Sequence, residues 1–139
     1  MSHPRLMRRL AVAAVAILST LLVGTAASAA TTADKTPPTA PLWGYAQGFY
    51  CLTLIVGVVP STDNVTPQSQ ISYVVYNDGV PIGSLSDRGN GPWAVLVLRH
   101  AGPNTVAVQA IDAAGNRSAF SRSVPVTGYF TPGCTPYHF

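Results

Sequence analysis

Apolar residues in this chain recur at every second position over short stretches, and each stretch ends in turn chemistry. Val106, Val108 and Ala110 form one face of a run that breaks at Asp112 into Ala113-Ala114-Gly115-Asn116. Gly115 and Asn116 there supply the backbone freedom of a tight turn. Leu54, Val56 and Val58 alternate in the same way, as do Ile71, Tyr73 and Val75. Asn77-Asp78-Gly79 reads as a hairpin turn, because Asp-Gly readily takes the φ > 0 conformations of short β-turns.

The pattern predicts seven short strands, over residues 42–49, 50–59, 71–76, 80–84, 93–99, 105–111 and 119–126. A turn is expected near Gln47-Gly48, and loops over 60–64 and 87–92. Gly57 marks a bulge or a close backbone approach, and Pro81 places strand 80–84 at a sheet edge. Residues 37–41, rich in proline, are stiff and extended. No helical period runs through these segments. Seven strands punctuated this way argue an all-β, two-sheet sandwich of immunoglobulin-like type.

The N-terminus is of a different kind. Arg5, Arg8 and Arg9 precede an apolar run over residues 10–23, and small residues follow to Ala27-Ser28-Ala29. Residues 1–29 therefore read as a cleavable secretory signal, since the run is short for a bilayer span. An uncleaved anchor is the competing reading. Residues 30–36 make a polar leader.

Removing the signal changes the charge balance. The net +3 of the whole chain rests on eight basic and five acidic residues, and three of the basic ones are the signal's arginines. Lys35, Arg88, Arg99, Arg117 and Arg122 then face Asp34, Asp63, Asp78, Asp87 and Asp112, which balance to zero. A neutral domain gives no footing for nucleic acid, nor for stable membrane insertion after the signal is removed. Cys51 and Cys134, an even pair in an exported chain, read as a disulfide.

Four segments occur in order over residues 37–127: Pro37-Pro38-Thr39-Ala40-Pro41, Ser61-Thr62-Asp63-Asn64, Tyr73-Val74-Val75-Tyr76-Asn77-Asp78-Gly79, and Asp112-Ala113-Ala114-Gly115-Asn116-Arg117-Ser118. Together they resemble the bacterial fibronectin type III domain. The resemblance implies a seven-stranded immunoglobulin-like sandwich over 37–127, with residues 128–139 as an additional aromatic tail. Two family positions differ: Val58 stands where a tryptophan is usual, and Val106 where a tyrosine is. Trp93, Tyr73 and Trp43 are the residues left to fill that space.

The family topology also implies that Cys51 and Cys134 lie at one end of the sandwich, where a bridge would staple the tail. It brings the loops of Asp63 and Asp112 out together, as a candidate Ca²⁺ pair beside the alternative that each caps its own turn. No cofactor is called for.

Catalysis finds little support. The chain has no Glu, so a carboxylate pair would need two of its five aspartates. No serine or cysteine stands in a nucleophile motif, and His100 sits in a loop beside Arg99. Aromatic residues are the better lead: Trp43, Tyr45, Phe49 and Tyr50 near the first turn, and Tyr129, Phe130, Tyr137 and Phe139 in the tail. Exposed, such rings stack on sugars or anchor a protein partner; buried, they cover the core. The resemblance implies a secreted, non-catalytic binding module, accessory to extracellular polysaccharide degradation. Its ligand would be a polysaccharide or cell-wall glycan. A protein-interaction or envelope-structural module working through strand 80–84 is the alternative, and a glycoside hydrolase a third.

Overall fold

The computed structural model describes residues 33–87 and 89–135. The expected secretory signal and the tail residues Tyr137, His138 and Phe139 lie outside them. The described residues form eight strands: β1 (Leu42–Gly48), β2 (Thr53–Val59), β3 (Ser72–Asn77), β4 (Val80–Asp87), β5 (Pro92–Val97), β6 (Gly102–Ile111), β7 (Arg117–Phe120) and β8 (Val124–Gly128). None of these residues forms a helix long and apolar enough to cross a membrane.

Every pairing is antiparallel. β1, β2 and β5 make one layer, and β4, β3 and β6 make the other, with β7 and β8 both on the outer edge of β6. β4 joins the layers: it pairs with β3 through Leu85, and its last residues, Ser86 and Asp87, then meet Trp93 and Pro92 of β5. The result is a curled sheet closed into a fibronectin type III-like sandwich. Through residues 80–84, β4 has a strand on one side only, the edge position that Pro81 requires.

The alternating residues of the sequence line the interior. Leu54, Val56 and Val58 from β2 meet Tyr73 and Val75 from β3 and Val106, Val108 and Ala110 from β6. Burying a side chain of this size contributes about 1.5–3 kcal/mol. Tyr73 crosses the core with its polar end satisfied, since its hydroxyl accepts the Ser61 backbone N–H at 2.7 Å. Trp43 packs against the same core, and its indole N–H donates to the Arg122 carbonyl. These two side chains therefore serve the core, Trp43 in register with Val58. Trp93 does not; it stands in register with Gly57, on the face that Leu54, Val56 and Val58 turn away from.

The hairpin between β3 and β4 turns as the Asp-Gly pair predicts, with Asp78 at φ 51° and Gly79 at φ 77°. Two other expectations change. Residues 50–59 are not one strand, because Tyr50–Leu52 forms a tight turn with Cys51 at φ 63° and Leu52 at φ 58°. Left-handed backbone costs non-glycine residues about 1–2 kcal/mol each. Local bonds close it, from Phe49 N–H to Thr53 O at 2.7 Å and from Thr53 N–H to Tyr50 O, and two more tie it to distant chain: Leu52 N–H donates to Tyr129 O at 2.8 Å, and Leu98 N–H to Leu52 O at 2.7 Å.

The last strand is also divided, into β7 and β8 around Ser121. Here side chains complete the ladder of β6. Ala110 N–H donates to Ser118 Oγ and Val108 N–H to Ser121 Oγ, each at 2.9 Å, while Ser121 N–H returns to Val108 O at 2.8 Å. Both serines are buried. Ser121→Ala leaves the Val108 N–H without an acceptor inside the sandwich. The expected loss is about 1–3 kcal/mol of unfolding free energy, read from urea denaturation.

Candidate functional site

Trp43 and Tyr45 are two residues apart, so a regular strand would put them on one face. The pairing of β1 with β2 slips between them: Trp43 meets Val58 and Tyr45 meets Gly57, leaving Gly44 as the extra residue of a bulge. Trp43 therefore enters the core while Tyr45 turns outward, where it is 47% exposed. A Cβ on Gly57 would lie 2.7 Å from Tyr45 Cε1 and 3.0 Å from Cζ, so the ring rests where a side chain would otherwise stand. Gly57 provides a seat for the ring, so what approaches it closely is a side chain, where its place in the sequence predicts a bulge or a close backbone approach. On the other side of Gly57 in the same cross-strand row is Trp93. Tyr45, Gly57 and Trp93 share an open groove of about 540 Å³, lined also by Pro60, Asn90 and Gly91. A second groove of about 530 Å³ runs on from Trp93 past Ile55 and Val95 to Ser84 and Ser86.

The remaining candidate aromatics gather at one end of the sandwich. Cys51 and Cys134 are bridged there, with Cα atoms 5.2 Å apart across 83 residues of sequence. The bridge joins the left-handed turn before β2 to the tail after β8. Phe49, Tyr50, Tyr129 and Phe130 are all exposed around it, Tyr50 at 73%. The Tyr50 and Tyr129 rings lie 6.0 Å apart at 49° to each other, a wedge rather than a flat platform.

His100 belongs to this end as well. Its Nε2 lies 3.0 Å from Asp78 Oδ2 and its Nδ1 3.0 Å from the Ala101 carbonyl. Both partners only accept, so both bonds exist together only when both ring nitrogens carry protons. The Ala101 carbonyl, and then Asp78, hold the His100 pKa above its ordinary value, with Arg99 opposing. Asp78 is held below the usual carboxylate range, chiefly by the Thr105 N–H. No hydroxyl nucleophile is bonded to this imidazole among the described residues.

Asp63 and Asp112 do emerge together at the opposite end, and Asp34 of the leader joins them. One carboxylate oxygen from each lies within 4.8 Å of the others. Asp112 is 5% exposed, with its two oxygens accepting from the Asn116 backbone and side-chain amides at 2.7 Å each. The same Asn116 amide donates to the Asp34 carbonyl at 3.1 Å, which brings the leader to this loop. Asp63 caps its own turn by accepting from Val65 and Thr66 N–H, and the Thr66 and Val65 bonds keep its pKa below the ordinary range. Asp34 was not visible as a partner from the sequence, because its position before the first strand gave no contact to read.

No family model matches the chain, and no curated protein matches it in sequence. Solved structures match it in fold. The Clostridium perfringens spore cortex lytic enzyme SleM aligns at TM-score 0.51 with 16% identity, over 66% of this chain and 29% of that one. This chain thus spans less than a third of that protein's length. A fibronectin(III)-like module of Clostridium thermocellum CbhA aligns at TM-score 0.48 with 19% identity, over 66% of this chain and 98% of the module. The Yersinia enterocolitica family 28 exopolygalacturonase aligns at 0.49 with 12% identity, over 70% and 21%. At these identities the likeness is one of fold.

Two measurements check this geometry. Titrated by NMR, His100 is expected to show a midpoint above the ordinary histidine value, and Asp78→Asn to bring it down. The raised His100 pKa adds stability below the unfolded value that is lost as pH rises through the folded one. The lowered Asp78 pKa adds stability that is lost as pH falls through its folded value, so the pair contributes most between the two titrations. Replacing both cysteines by serine frees a loop of 83 residues. The expected loss is about 2–5 kcal/mol, seen as a lower melting midpoint of the variant beside the oxidised protein.

Proposed function

We propose that this protein is an extracellular, non-catalytic binding module that holds a polysaccharide against the outer face of β1–β2–β5, as an accessory to polysaccharide breakdown. The observation that carries the reading is the Tyr45 ring seated on Gly57 beside Trp93 in an open groove. A sugar ring offers an apolar C–H face, and an aromatic ring held by the sheet stacks on it without first losing its own freedom. Gln47, one row along β1, is exposed and offers both amide donors and a carbonyl acceptor to hydroxyls. The apolar stretch before residue 29 and the disulfide support export.

A protein partner is the second reading, favoured by the disulfide end. The tilt of Tyr50 against Tyr129 makes a poor stacking platform but a good apolar wedge, and Phe49 and Phe130 extend it.

Retention of the oxidised protein on insoluble chitin, cellulose and peptidoglycan separates the two. The expected result is retention on one polymer, weakened about 2- to 10-fold by Tyr45→Ala and by Trp93→Ala, from roughly 0.5–1.5 kcal/mol per ring. Tyr50→Ala should bind as the parent does. Loss in Tyr50→Ala with Tyr45→Ala unaffected would move the site to the disulfide end, and no retention on any polymer would leave the protein-partner reading. Unchanged melting midpoints show that the variants remain folded.

A further inference from the structure

We propose that Asp34, Asp63 and Asp112 form a Ca²⁺ site that clamps the segment before the first strand onto the end of the sandwich opposite the disulfide. Three carboxylates from three separate segments converge there, with an oxygen of each within 4.8 Å of the others. Asp112 is buried, Asp34 and Asp63 are half-buried, and none of the three is paired with a cation, since the one ion pair among the described residues is His100 with Asp78. Buried charge of one sign needs a counter-charge.

A second observation points to the ligand. Asp34 Oδ2 and Asp63 Oδ1 are buried atoms of half-buried side chains, and among the described residues neither accepts a hydrogen bond. The other oxygen of each is taken, by Thr36 N–H and by Val65 and Thr66 N–H respectively. A buried carboxylate oxygen without a donor loses its hydration for nothing in return, which native proteins rarely leave uncompensated. A cation among the three aspartates supplies both missing interactions at once.

The donor set selects the ion. Carboxylate oxygens with no imidazole or thiolate suit a hard divalent cation. Ca²⁺ takes such oxygens at about 2.3–2.6 Å in a flexible shell, whereas Mg²⁺ at about 2.0–2.1 Å demands near-ideal octahedral geometry and gives up its waters reluctantly. Asp34 is the member that gives the site a purpose. Asp63 and Asp112 already share the end of the sandwich through the Ala113 N–H to Thr66 Oγ1 bond at 3.2 Å, so the ion's added effect is to fix the leader.

Calorimetric titration of the chelator-treated, oxidised protein with Ca²⁺, together with melting curves, tests this. One binding event is expected, with Kd in the range of about 0.1–1 mM typical of extracellular modules, and a melting midpoint that rises with Ca²⁺ concentration. Asp34→Asn and Asp63→Asn should each abolish the rise. In chelator both should melt at or above the parent, because each removes a like charge from the cluster. That result separates loss of a ligand from simple damage to the fold. No heat and no change in melting up to roughly ten times that Kd range would overturn the site, as would a rise that survives in both variants or an equal one with Mg²⁺. An aspartate titrating well above the ordinary carboxylate range, without any response to Ca²⁺, would overturn it too, by showing that a proton neutralises the cluster.

Discussion

A strand with neighbours on both edges and its inward side chains in the core has no water to turn to, so each backbone donor and acceptor must find a partner in the protein. β6 is that strand here. It pairs with β3 along one edge and with β7 and β8 along the other, and Val106, Val108 and Ala110 are fully buried. The last strand breaks at Ser121, and the break would leave β6 amides unpaired. Ser118 and Ser121 supply hydroxyl oxygens instead. The interruption also frees the Arg122 carbonyl, and the Trp43 indole from the other layer takes it. One irregularity in the outer strand thereby becomes a tie between the two sheets.

A second irregularity decides which ring meets solvent. Without the bulge at Gly44, Trp43 and Tyr45 would share a face, and either the core would lose its indole or the outer face its tyrosine. The slip in register sends them to opposite sides. Gly57 then receives the Tyr45 ring, and Trp93 flanks it from β5. The two rings of the candidate groove are therefore set by backbone pairing in the first layer, each on a strand rather than on a loop. Such a position suits a site that must not reorganise on binding.

What the sequence disclosed follows its local periodicity. Alternation of apolar residues located the inward faces of β2, β3 and β6, and Asp78-Gly79 located the hairpin, because each signal is carried by neighbouring residues. The disulfide followed from an even cysteine pair in a chain read as exported, and the family topology added that both cysteines lie at one end. What stayed hidden depends on contacts between distant residues. The left-handed turn at Cys51 and Leu52 is tied to Tyr129 and Leu98, and nothing in Tyr50-Cys51-Leu52 itself announces it. The opposite fates of Trp43 and Tyr45 depend on one skipped pairing, which a two-residue period does not register. Trp93, named with Tyr73 and Trp43 to fill the space left at Val58 and Val106, lies on the outer face because β5 is paired to β2 with Gly57 opposite it. Asp34 was invisible as a neighbour of Asp63 and Asp112 for the same reason.

The distribution of acid is the last link. A chain with five aspartates and no glutamate has few charges with which to keep itself soluble, and dispersal would use them best. Each is instead committed to a turn. Asp78 holds Thr105 and His100, and Asp87 accepts from Gly89 N–H. The other three meet at one end, where like charges repel and two oxygens go without donors. Turn-capping accounts for one oxygen on Asp34 and one on Asp63, and for both on Asp112, but not for their convergence. Asparagine or serine would cap the same turns without the repulsion. Carboxylates at all three positions are what a cation requires and what capping does not, so the cost of gathering them belongs to the ion rather than to the fold.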